Sequence, residues 1–221
     1  MVYLALEKEN RALLLHDQGI IAKNVKGHCL SGQGGFLFLG DDLYDSSRIA
    51  WTRMSPDHTT TLPGSAELHF GGKITGFKNL NIVFDNGSSY TYFNSWIYHS
   101  LITFINEDLL SGKPVKEATE DRTLPLCWKG KRPFKSTRDV RKYSLIFPSG
   151  NASLGILNGT DVGLNSFNMI GECIRVQIQD NPTSTGADIS MQDKLLVYDN
   201  EKHLIGWTPA NCNQLSRSST L

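Results

Sequence analysis

Residues 85–88, Asp-Asn-Gly-Ser, form the segment of this sequence best suited to chemistry. A carboxylate follows the β-type run 80–84. Gly87 permits a sharp turn, and the Ser88 hydroxyl can hydrogen-bond the Asp85 carboxylate. A carboxylate held in this way can take or give a proton during a reaction. The same residues also fit a plain hairpin, because Asn-Gly between two apolar β-type runs is a strong turn signal. The spacing alone leaves both readings open.

Other reactive side chains do not gather in the same way. The four cysteines, Cys29, Cys127, Cys173 and Cys212, contain no Cys-x-x-Cys pair, and none of the six histidines lies three to five residues from another. No metal site is expected, and no cofactor. Lys+Arg and Asp+Glu are equal at 22 each, so no net field favours nucleic acid, a membrane surface or an acidic partner. The basic run 129–142 contains Pro133 and reads as a solvated surface loop. Three Asn-x-Ser/Thr triplets, at Asn86, Asn151 and Asn158, would suit a secreted protein. The six apolar residues before Glu7 are too few for a signal-peptide core, and no apolar run approaches a membrane span.

The elements that must position Asp85 are mainly β. Residues 25–30, 36–39, 68–70, 80–84 and 90–93 are short runs rich in apolar, aromatic and branched residues. Residues 194–198 and 204–207, joined by the turn 199–202, read as a hairpin. Two helices interrupt this pattern. Residues 4–18, with Leu6, Leu13 and Leu14, read as a short helix closed by Gly19. After Asn94, a suitable N-cap, Ile97, Leu101, Phe104, Ile105 and Leu109 recur at helical spacing. Residues 172–187 lack periodic hydrophobicity and read as a mobile, poorly packed loop whose removal should leave the fold intact. The tail 214–221 is polar and is expected to fray.

The order of five segments carries a wider resemblance. GHCLSGQGGFLFLGDD (27–42), FDNGSSYTYF (84–93), LPLCWKGKRPFKSTRDVRKY (124–143), LGILNGTDVGL (154–164) and DISMQDKLLVYDNEKHLIGWTPANC (188–212) resemble plant nucellin-like aspartic proteases of the pepsin type. The resemblance implies the C-terminal lobe of a bilobal, mainly β acid-protease fold, with residues 1–30 a remnant of the first lobe and 31–213 the second. It implies that Asp85 is one of two catalytic aspartates, supported by Asn86, Gly87 and Ser88. Met169, Ile170 and Gly171 would be the hydrophobic-hydrophobic-Gly segment that threads beside it. It also implies a disulfide between Cys29 and Cys212, a polypeptide substrate, a monomer and a secretory location.

The departures from that family bear on activity. Two carboxylates sharing one proton do the family's chemistry, and only one such motif is present here. The lobe that carries the other motif and the substrate-covering flap is expected to be missing. Asn86 stands where the family has a serine or threonine hydroxyl. The family has about twenty further residues before the strand near Ile146, and a cysteine in place of Ser153, so Cys127 and Cys173 are expected to be free thiols. The run 172–187 interrupts a segment that the family writes continuously, and it reads as an insertion of intron origin. The expectation is an aspartic endopeptidase lobe, inactive alone. The alternatives are a non-catalytic binding protein resembling plant xylanase inhibitors, and a homodimer in which each copy donates Asp85.

Overall fold

The computed structural model describes residues 11–55, 65–85, 92–112, 115–117, 127–130, 143–147, 152–155, 173–175, 177–178, 184–187 and 191–213. In chain order its elements begin with α1 (Arg11–Asp17), β1 (Val25–Ser31), β2 (Gly34–Leu39), a 3-10 turn at Ser46–Arg48 and β3 (Ala50–Arg53). They continue with β4 (Glu67–Phe70), β5 (Lys73–Ile74), β6 (Ile82–Asp85), β7 (Tyr92–Phe93) and α2 (Ser95–Gly112). There follow β8 (Val115–Glu117), β9 (Cys127–Gly130), β10 (Tyr143–Phe147), β11 (Ala152–Gly155) and β12 (Cys173–Arg175). The last are β13 (Gln177–Ile178), β14 (Ser184–Ala187), β15 (Lys194–Asp199) and β16 (Leu204–Pro209). The chain divides into two compact units. One holds residues 1–65, 147–153 and 191–221, and the other holds 66–146 and 154–190.

In the first unit an antiparallel sheet runs β2-β1-β15-β16-β3. The run 195–198, Leu-Leu-Val-Tyr, is apolar without alternation because all of β15 is buried. The expected hairpin 194–207 is present as β15 and β16. Its turn is held by Asp199, whose Oδ1 accepts from the Lys202 backbone N–H at 2.9 Å while Lys202 Nζ lies 3.2 Å from Oδ2. The Asn24 backbone N–H donates to Glu201 Oε1 at 2.9 Å, and Asn200 Nδ2 donates to Asn24 Oδ1 at 3.1 Å, which ties this turn to the entry of β1. On one sheet face Val25, Cys29, Phe38, Ile49, Leu195, Val197 and Cys212 make a continuous core.

Two glycines make room in that core. Gly27 is registered opposite Phe38, and Gly206 opposite Trp51. A methyl group at Gly27 would collide with the Phe38 ring and the Leu196 carbonyl. One at Gly206 would meet Ile49 and Trp51. The aromatic rings lie over backbone that has no side chain of its own. Cys29 and Cys212 are joined by a disulfide with α-carbons 5.1 Å apart and a sequence separation of 183. This is the pair that the resemblance implied.

Helix α1 ends as expected at Gly19, which has a left-handed φ of 69° and donates its N–H to His16 O at 2.8 Å. Its leucines are not the buried face. Leu13 and Leu14 are 43% and 55% exposed, and Ala12 is buried.

In the second unit β10, over residues 143–146, β4 and β5 lie side by side in one sheet, and β12-β9-β8 form another. Helix α2 lies against the first through Phe104, which stacks on Phe70 of β4 at 6.2 Å. The reading of residues 172–187 as a loop is corrected here, because three strands fall within it. β12 pairs with β9, β13 with β7, and β14 with both β6 and β7. These segments are held by backbone ladders, which need no alternating apolar pattern, so side-chain periodicity gave no sign of them. The register sets Cys127 opposite Arg175 and Cys173 opposite Lys129. The side chains of these two expected thiols lie outside the described residues, as does the tail 214–221.

His28 gives the first unit an acid sensitivity. Its ring is 2% exposed and stacks on Tyr198 at 5.9 Å, and neither ring nitrogen has a hydrogen-bond partner among the described residues. Burial pushes its pKa down to about 4. The unfolded chain, titrating near 6.5, therefore binds the proton first. The stability involved is present above about pH 6.5 and is lost as pH falls through 4, to a total of about 3 kcal/mol. His28→Leu is expected to gain on the wild type in melting temperature as pH drops from about 7.5 to 4.5, and the same gap at both pH values would refute it. Gly206→Ala, which forces Ile49 and Trp51 apart, is expected to cost about 1–3 kcal/mol in denaturant melts. Replacing Cys29 and Cys212 together by alanine should cost at most about 5 kcal/mol, the chain-entropy figure for so long a loop.

Candidate functional site

Asp85 is the last residue of β6. In that strand Ile82 and Phe84 are 1% and 4% exposed, which anchors its inner face in the second unit. The neighbour of β6 is β14, paired in parallel over four registers: Ser184↔Ile82, Thr185↔Val83, Gly186↔Phe84 and Ala187↔Asp85. On its other side β14 meets β7, antiparallel, at Thr185↔Tyr92. The sheet order is β13-β7-β14-β6.

That order bears on the hairpin reading of this segment. A hairpin at residues 85–88 would hydrogen-bond β6 directly to β7. Instead a strand from about a hundred residues later in the chain lies between them. The chain leaves β6 at Asp85 and returns as β7 only across an intervening strand. Among the described residues β6 and β7 are therefore not paired directly as a two-strand hairpin, and the Asn86-Gly87 turn itself lies outside them.

Immediately after β7 the backbone enters α2. The Ile97 backbone N–H donates to Asn94 Oδ1 at 3.0 Å, so Asn94 is the N-cap that the sequence predicts. Ile97, Tyr98 and Leu101 are buried, and Phe93 is buried as well. Trp96, 71% exposed, meets Phe77 edge-on at 4.9 Å. This packing fixes the exit of β7 and so the far side of the span that begins at Asp85.

Of the residues singled out in the sequence, Asp85 is placed by its backbone, and Cys29 and Cys212 are joined in the first unit. Asn86, Gly87, Ser88, Met169, Ile170 and Gly171 lie outside the described residues. The strand Ser184–Ala187 beside Asp85 was not legible as such. The available signal was weak: a β-branched Thr185 and a permissive Gly186 just before Asp188-Ile189-Ser190. Among the described residues no group of three or more His, Cys, Asp or Glu side chains could hold a metal ion. No helix among them is long and apolar enough to cross a membrane.

No family model matches the chain. Over 237 residues it is 32% identical to an aspartic proteinase of rice, Oryza sativa subsp. japonica, covering 93% of this chain and 54% of that protein. Its counterpart from Oryza sativa subsp. indica is 30% identical over 239 residues, with the same shares. The chain thus spans about half the length of these curated relatives. Among solved structures it is similar to EDGP, with a TM-score of 0.65 and 12% identity, over 85% of this chain and 54% of that one. It is also similar to basic 7S globulin from soybean, with a TM-score of 0.66 and 12% identity, over 93% and 57%. The fold is therefore mainly β and pepsin-like, and the curated relatives are aspartic proteinases.

Asn94→Ala removes the N-cap of α2 and is expected to lower stability by about 1 kcal/mol, read from denaturant melts. Asn94→Asp should retain most of it, because a carboxylate caps as well as an amide oxygen.

Proposed function

We propose that this chain is the second lobe of a nucellin-like aspartic endopeptidase and supplies Asp85 as one of its two catalytic carboxylates. The observation that carries the proposal is the 32% identity to a rice aspartic proteinase across 93% of the chain, with Asp85 at the end of a strand flanked in parallel by another. In the reaction one ionised carboxylate takes a proton from water as its oxygen attacks the peptide carbonyl. The second, protonated, carboxylate hydrogen-bonds the carbonyl oxygen, and the amine then leaves with a proton. A single Asp85 cannot hold both protonation states at once, so the chain by itself does not hydrolyse peptides.

Residues 1–30 are, in this reading, the remnant of the first lobe and residues 31–213 the second, a division by ancestry and not by packing. The substrate is a polypeptide, the working form is monomeric, and the location is secretory. The Cys29–Cys212 bridge supports that location, since such bonds persist in oxidising compartments. A second reading, a non-catalytic binding protein resembling plant xylanase inhibitors, is favoured by Asn86. An amide there cannot reproduce the compact contact of a serine or threonine hydroxyl.

The test is a chimera in which this chain replaces the matching part of the rice proteinase, assayed on denatured protein at about pH 3–5. Cleavage is expected in the chimera or in its Asn86→Thr form, and Asp85→Ala should reduce it to background. The chain alone should give none. If both chimeras fold but neither cleaves, the endopeptidase reading is refuted and the binding-protein reading takes its place.

A further inference from the structure

The strand beside Asp85 lies in the run that reads in sequence as an insertion. β14 is bonded on both sides, to β6 over four registers and to β7 at Thr185. Among the described residues β14 is the sole neighbour of β6, which stands at the edge of the sheet. The backbone N–H and C=O groups that β6 directs toward β14 would otherwise lack ladder partners, at a cost for each buried group.

We infer that Ser184–Ala187 is the positioning strand of Asp85, taking the place that the resemblance assigned to Met169-Ile170-Gly171, so that this strand of the inserted run belongs to the site. The composition of the strand fits this role. Paired residues on neighbouring strands share a sheet face, and the residue opposite the buried Phe84 is Gly186, which adds no side chain there. Ala187, opposite Asp85 itself, carries the smallest side chain an L-residue can have. The functional meaning of this placement rests on the reading of Asp85 as catalytic, whereas the placement itself does not.

A disulfide trap tests the placement without reference to activity. In the full chain with Cys127→Ser and Cys173→Ser, Val83→Cys is combined with Thr185→Cys or, separately, with Ile170→Cys. Neighbouring strands lie about 4.8 Å apart, within the span of about 4.4–6.8 Å between α-carbons that a disulfide bridges. Oxidation followed by mass spectrometry of unreduced tryptic peptides should find a bridge between positions 83 and 185 and none between 83 and 170. A bridge to position 170, or free thiols at 83 and 185 in a folded protein, would overturn the inference. Deletion of 172–187 gives a second measurement: a melting temperature lower by several degrees is expected, and an unchanged one overturns the inference. A chimera that fails to cleave would sink the endopeptidase reading and leave the trap result standing.

Discussion

Six consecutive residue pairs, from Val25↔Asp199 to Leu30↔Lys194, hold the early and late parts of the chain side by side. The five-stranded sheet is complete only with this pairing, because β2 joins it through β1, and β16 and β3 join it through β15. Closing so long a loop costs several kcal/mol of chain entropy, although the cost grows only slowly with length. Burial on both faces of β15 offsets it, and the disulfide between the flanking cysteines removes part of it by restricting the unfolded chain. The glycines opposite Phe38 and Trp51 let the rings settle against the backbone and complete the core on one face.

The second unit repeats the same kind of closure at the candidate site. β6 and β7 are close in sequence, yet their spatial relation is fixed by β14, which arrives about a hundred residues later. Contacts between residues this far apart form slowly, since their loop entropy is lost before they stabilise anything. The backbone that carries Asp85 therefore gains its final surroundings late in folding. A residue set this way is positioned by backbone hydrogen bonds, which tolerate much side-chain variation. Relatives could keep the placement while changing the residues that make it.

Local structure was legible where it has a local cause. The Asn94 cap, the helix that follows, the Gly19 stop and the 194–207 hairpin each follow from residues a few positions apart, and each is present. Ser184–Ala187 was not legible because its strand character comes from β6 and β7, which lie elsewhere in the sequence. The Asn-Gly signal after Asp85 suggests a two-strand hairpin, but sequence spacing cannot show that β14, not β7, is the strand paired with β6. The exposure of Leu13 and Leu14 escaped notice for a related reason: composition fixes helical character, whereas the packing partner fixes which face is buried. His28 was unremarkable as one of six scattered histidines, and only its seat beside Tyr198 gives it a titration of interest.

The bond between Cys29 and Cys212 closes a covalent ring that contains the whole of the second unit. One backbone cut anywhere inside the ring opens it without releasing a fragment, as both cut ends remain attached through the sulfur atoms. The nicked molecule keeps its mass, and the ends of the ring stay anchored in the sheet of the first unit. Two cuts, or one cut followed by a reducing agent, are needed before any piece can diffuse away. Clipping of a surface loop inside the ring is therefore a survivable event.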